Sequence, residues 1–272
     1  METEIETEID TISKPPERKY ISITIIITSL TLLLYFTAMA LLAPVKKLNA
    51  LKDEYGFKQN EKNIINDTIL TDSTFLVLYR EKSFLQARTT MAETDSICLS
   101  MNLMDSVVTL EISGVTVSRT KLTRISESRM FRDRNGYFLS SMLSKPFIIQ
   151  RNIASIPKEP LMIKMAPKDT SEYEPDITPD TADYEPVNYI MEMDNGTVIY
   201  VYQEEKINHG DGFRLFFFDL HYRLTNLWNS IKSVFTFKVP EYHPYIKVRI
   251  PRSDAKIVFR ALPVHGQITV YR

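Results

Sequence analysis

Residues Ile21 to Ala43 form one unbroken uncharged stretch, ISITIIITSLTLLLYFTAMALLA, and no other feature of the chain limits its folding as strongly. In a helix these 23 residues cover roughly 34 Å, against about 30 Å for the hydrocarbon core of a bilayer. The Ser and Thr residues inside the run do not spoil a membrane helix, because their hydroxyls can return to backbone carbonyls. A retained single-pass anchor is the expected state, with a transmembrane helix over 21–45. The competing reading is a cleaved signal peptide, since Ala38-Met39-Ala40 has small-x-small character. Signal peptides usually carry an apolar region of only about 7–15 residues, and the run before Ala38 is already longer.

Charge does not orient the span. Lys14, Arg18 and Lys19 precede it, and Lys46, Lys47, Lys52 and Lys58 follow it, so the basic counts on the two sides are almost level. Residues 1–20 open with METEIETEID and read as a disordered acidic N-terminal tail. After the span, Leu48, Leu51 and Tyr55 recur at helical spacing, so 46–70 reads as a juxtamembrane helical stalk, too short for a persuasive coiled coil.

The remaining chain carries enough residues for one large or two small domains. Its formal net charge is −1 and it shows no basic stripe with interleaved aromatics, so nucleic acid is not an expected partner. The single cysteine, Cys98, allows no internal disulfide and no cysteine-based metal cluster, and in Ile97-Cys98-Leu99 it reads as a small core residue.

Period-two alternation over Ile97–Leu103, the return VVTLEI, and VTVSRTKLTRI after Gly114 predict strands, and Leu76 to about Met165 reads as a meander within a β-rich domain at 71–165. Residues 166–186, APKDTSEYEPDITPDTADYEP, hold seven acids and four prolines and read as an acidic Pro-rich loop or linker. The Asp spacing there matches no calcium loop.

Asn195-Gly196 between VNYIMEM and TVIYVY is a strong hairpin signal. A helix is expected from about Gly212, with Phe213, Phe217, Leu220, Leu224, Leu227, Trp228, Ile231 and Phe235 on one stripe. Its simplest reading is core, and the alternative is a face that docks a partner. Tyr245–Ile250 reads as a strand, Ser253 as a helix N-cap with Asp254 in the first turn, and Gln267–Tyr271 as a last strand.

Motifs for chemistry are sparse. His209, His221, His243 and His265 form no close ligand pair, and the chain shows neither a glycine-rich phosphate loop nor a Gly-x-Ser-x-Gly elbow. No metal, cofactor or catalytic residue is expected. His209-Gly210-Asp211-Gly212 and His265-Gly266 read first as turns.

The closing segment, HPYIKVRIPRSDAKIVFRALPVHGQITVYR, resembles the end of the L,D-transpeptidase catalytic domain. Arg249-Ile250-Pro251, Asp254-Ala255 and Leu262-Pro263 follow that family's pattern downstream of its Ser-His-Gly-Cys-x-Arg motif. In this register the family's nucleophilic cysteine falls on Lys247, its Ser-His-Gly on Pro244-Tyr245-Ile246, and its arginine on Arg249; the family's upstream His-Gly corresponds to His209-Gly210. A family member uses a thiolate to form an acyl-enzyme, and a protonated lysine on a hydrated strand does not replace it.

The resemblance therefore implies a degenerate L,D-transpeptidase-like domain over 187–272, a pseudoenzyme with a vestigial groove at His209, His243, Tyr245, Lys247 and Arg249. The expected fold is α+β and β-dominated, with the anchor, an accessory β-domain and the degenerate domain in order; the two β segments either stand apart or share one sheet. The function so implied is a non-catalytic, peptidoglycan-binding or scaffolding module of a bacterial envelope. It would be anchored in the inner membrane with its body in the periplasm, and its partners would be stem peptides or envelope proteins. The alternatives are a bitopic interaction subunit of an envelope complex, or an active cell-wall hydrolase or transpeptidase.

Overall fold

The computed structural model describes residues 17–55, 72–132, 137–158, 186–205 and 210–272. Most of the acidic tail, residues 56–70 of the expected stalk, residues 166–185 and His209 lie outside them.

Helix α1 runs without a break from Glu17 to Tyr55, 39 residues with Pro44 inside it. It includes one segment long and apolar enough to cross a membrane. The hydroxyls there behave as the sequence suggests: Thr24, Thr28 and Thr31 donate to the carbonyls four residues earlier at 2.7–2.8 Å. The turns after the apolar run are not a free stalk. Leu51 is 4% exposed and belongs to the main core, with Leu48 and Tyr55 packed beside it. The apolar face that suggested a stalk is spent on the chain's own body.

Helix α2, Ser73–Ala92, occupies the start of what was expected to be a β-meander. Asp72 caps it by accepting from the Thr74 amide at 2.9 Å. Leu76, Ser83, Ala87 and Met91 are its buried face. A serine on that stripe obscured the helical period, and the expectation of strand there is corrected. Two short helices, α3 (Arg129–Arg132) and α4 (Tyr137–Met142), also interrupt the expected meander.

Nine strands form one sheet: β1 Ile97–Asn102, β2 Val107–Ile112, β3 Val115–Lys121, β4 Arg124–Glu127, β5 Phe147–Ala154, β6 Asn188–Met193, β7 Val198–Gln203, β8 Tyr245–Ile250 and β9 Gln267–Tyr271. Their order is β3-β2-β1-β9-β5-β6-β7-β8-β4. The last strand lies between β1 and β5, and β4 pairs with β8, so the 71–165 and 187–272 segments share a sheet and do not form two separate β-bodies.

The two edge strands fix the shape. β3 and β4 sit at opposite ends of the order, yet only Leu122 and Thr123 separate them in sequence. Nine strands laid flat would hold those edges roughly 38 Å apart, while this link reaches about 10 Å at most. The sheet therefore curls until its edges meet. At the junction the Leu122 amide donates to Ser106 O at 2.8 Å and the next amide, Thr123, donates to Arg249 O at 2.9 Å, one bond to each half. β5 makes the opposite corner. Its first two residues pair with β9, and from Ile149 onward it pairs with β6, with an irregularity between Ile149 and Arg151.

Alternation sorts the side chains of the curled sheet. Leu99, Met101, Met191, Ile199, Val201, Val248 and Val270 point into one core. Phe131, Leu139 and Met142 of the short helices join it, as do Val258 and Phe259 of helix α6, Arg252–Ala261. That helix begins after Pro251 with no side-chain cap, so Ser253 is inside its first turn and not at its N-cap; proline holds the entry in its place. Asp254 stands in the first turn as expected.

The Asn-Gly hairpin forms, but only Gly196 takes a positive φ, +79°. Its amide donates to Met193 O at 2.9 Å, the pattern of a turn closed by one left-handed residue. A Cβ at Gly196 would stand 3.3 Å from Lys47 Nζ, which itself donates to Asn195 O at 3.1 Å. Gly196→Ala should cost about 1–2 kcal/mol, chiefly from the left-handed backbone, read as a lowered Tm in detergent micelles.

Candidate functional site

Helix α5, Asp211–Phe235, connects β7 to β8 and lies over the outer face of the sheet. Alternation places Val198, Tyr200 and Tyr202 of β7 on that outer face, beside Tyr245, Lys247 and Arg249 in the parallel register of β8. Tyr222 and Phe218 of α5 pack there against Ile190, Val198 and Tyr200.

Two carboxylates tie helix to sheet. Glu192 of β6 accepts from Arg151 Nε at 2.9 Å and Nη2 at 2.6 Å, and from the Tyr222 hydroxyl at 2.9 Å. Asp219 accepts from the Tyr202 hydroxyl at 2.6 Å and from Arg223 Nη2 at 3.3 Å.

Lys247 stands at the position where the resemblance places a nucleophile, and its surroundings are not those of a hydrated strand. The ammonium lies 4.5 Å from the centre of the Tyr200 ring and 5.3 Å from that of Tyr245. Partial burial lowers its pKa from the ordinary lysine value, with Arg223 adding to that and Asp219 opposing it. The ring faces hold the cation that the lost water would have solvated. Arg249 is half-buried two residues on, and Arg124 stands opposite it on β4.

Of the expected groove residues, Tyr245 and Lys247 meet and Arg249 shares their face. His243 stands apart. Its Nδ1 is 3.1 Å from Gly196 O, at a cleft of about 530 Å³ lined also by Lys47, Glu54, Glu192 and Glu241. His265 is likewise engaged, 3.1 Å from Ile149 O. Cys98 is buried beneath Met91, a core residue as expected. Among the described residues no group of three His, Cys, Asp or Glu side chains could hold a metal ion.

The residues that build this face but were missed are Tyr200, Tyr202, Asp219, Tyr222 and Glu192. The alternation of TVIYVY carried the signal for the two strand tyrosines. Their partners on α5 lie on the less apolar side of that helix, opposite the stripe that drew attention.

Burial raises the Tyr200 and Tyr202 hydroxyls above the ordinary tyrosine value, and the bond to Asp219 adds to it for Tyr202. Unfolded tyrosines ionise near pH 10, so above that pH the unfolded chain sheds protons that the folded chain keeps, and stability falls as pH rises. Lys247 has the opposite sign: its lowered value makes the folded state gain stability as pH climbs toward about 10.5. Tyr202→Phe should lessen the alkaline fall and Lys247→Met should lessen the preceding rise, both read from Tm between about pH 8 and 11.

No protein-family model matches this chain, and no curated protein and no solved structure does.

Proposed function

We propose that this chain is a membrane-anchored, non-catalytic envelope protein whose body is a binding or scaffolding module held at the bilayer surface. The observation that carries this reading is Lys247, clasped by two tyrosine rings at the position the resemblance gives to a nucleophile. An ammonium in an aromatic clasp offers a cation to a ligand and is no nucleophile while protonated. α1 supports the anchoring part, because it is long and apolar enough to cross a membrane and its last turns enter the body's core.

The ligand proposed is a peptidoglycan stem peptide, whose carboxylates suit the cationic strip of Lys247, Arg249 and Arg124 on neighbouring strands. This ligand, a bacterial inner-membrane location and a periplasmic body all rest on the resemblance of residues 243–272 to the L,D-transpeptidase end.

Full-length protein in detergent micelles should pellet saturably with purified sacculi at low salt. Lys247→Glu should weaken that pelleting by about tenfold, the scale of one lost charge-assisted contact. Absence of pelleting, or pelleting unchanged in the variant, would overturn the wall-binding reading.

A further inference from the structure

The apolar stripe of α5 is not core. Tyr222 and Phe218 face the sheet, and the stripe points the other way. Phe217 is 62% and Trp228 59% exposed, and Phe213, Leu224, Leu227 and Phe235 are also more than half exposed. Together these side chains present roughly 500 Å² or more of apolar surface, at the top of what soluble monomers leave in water.

The end of α5 shows what covers it. Phe235 packs edge-on against Phe36 of α1 with ring centres 5.7 Å apart, and Phe237 lies 6.1 Å from Tyr35. Tyr35 precedes Ala43, the end of the uncharged run, by eight residues. At 1.5 Å per residue the contact sits about 12 Å inside that run. The end of α5 is thus level with a part of α1 that hydrocarbon would surround.

Three of its last four backbone carbonyls are satisfied by the protein itself. Lys232 O accepts from the Thr236 amide at 3.1 Å, Ser233 O from the Lys238 amide at 2.9 Å, and Val234 O from the Phe237 amide at 3.0 Å. The Tyr35 hydroxyl adds a second donor to Val234 O at 3.3 Å. Phe237 takes the left-handed conformation, φ +55°, which usually falls to glycine, and its ring is 82% exposed. A strained, outward phenylalanine gains nothing from water and much from acyl chains. Lys232, whose ammonium lies 5.6 Å from the Trp228 ring, can carry its charge back toward headgroups on its apolar stem.

We infer that α5 is a membrane-embedded interfacial helix, its stripe buried in the acyl region of the leaflet nearest the body and its far face bonded to the sheet. The inference rests on the reading of α1 as a membrane span. The occupant is lipid, not a second copy or another protein.

Trp228 is the chain's single tryptophan, so its emission reports this helix alone. Full-length protein would be placed in phosphatidylcholine–phosphatidylglycerol nanodiscs with and without brominated acyl chains. Co-elution with the discs after an alkaline carbonate wash reports the anchor separately. For protein that co-elutes, bromolipid should remove roughly half or more of the emission, as expected of an indole at the headgroup–acyl boundary. Aqueous acrylamide should quench it little. Emission that acrylamide quenches and bromolipid does not would overturn the inference and leave α1 as the anchor. Emission shielded from both would place a protein surface on the stripe and would also overturn it.

Discussion

Glu127→Ala is expected to cost the fold about 3–5 kcal/mol. Glu127, 8% exposed at the end of edge strand β4, is paired with the guanidinium of Arg272, which follows β9 in the other half of the sheet. Arg272 is held in turn by its carbonyl, which accepts from Arg80 Nη1 of α2 at 3.3 Å. Removing the carboxylate leaves a half-buried cation with little water and no counter-charge, which is why the loss exceeds that of a surface pair. Thermal melts in detergent should show the drop. The paired change Glu127→Met with Arg272→Met should recover most of it, since neither charge is then stranded. If the double variant is no more stable than Glu127→Ala, the loss comes from packing and not from the ion pair.

Leu51→Ala should cost about 2–5 kcal/mol. The side chain enters the core from α1, so its cavity opens at the join between the apolar run and the body. Besides a lower Tm, the amides of the last turns of α1 should exchange faster than those of the central strands. Equal acceleration everywhere would mean that the helix is not a separable unit of the fold.

Much of the strand framework was legible in the sequence. VVTLEI, Tyr245–Ile250 and Gln267–Tyr271 are strands at the bounds their alternation implied, and the Asn-Gly pair makes its turn. These segments each carry a local, period-two pattern that needs no distant partner to be read. What could not be read was the pairing. Nothing local in Gln267–Tyr271 says that it lies between β1 and β5, and the resemblance of the closing segment encouraged a boundary that the sheet crosses. The α5 stripe shows the other limit. Periodicity locates an apolar face but not what it meets, and Phe213 to Phe235 has the same spacing whether it faces protein or lipid. At the candidate site, Lys247 was legible as a position, but the clasp was not, because Tyr200 comes from another strand.

The placement of β9 sets a timetable for making the molecule. Leu99 pairs with Ile268, so β1 cannot obtain its second neighbour until nearly all of the intervening chain has been synthesised. Until then β1, β2 and β3 form a ribbon with an open edge, and α2 has no β9 to cover. Closing so long a loop is slow, and an open edge is a template for pairing with other chains. An apolar segment already in the bilayer would confine each unfinished ribbon to a surface, near other chains in the same state. Assembly of this protein is therefore a race between the arrival of one five-residue strand and capture of the gap it is meant to fill.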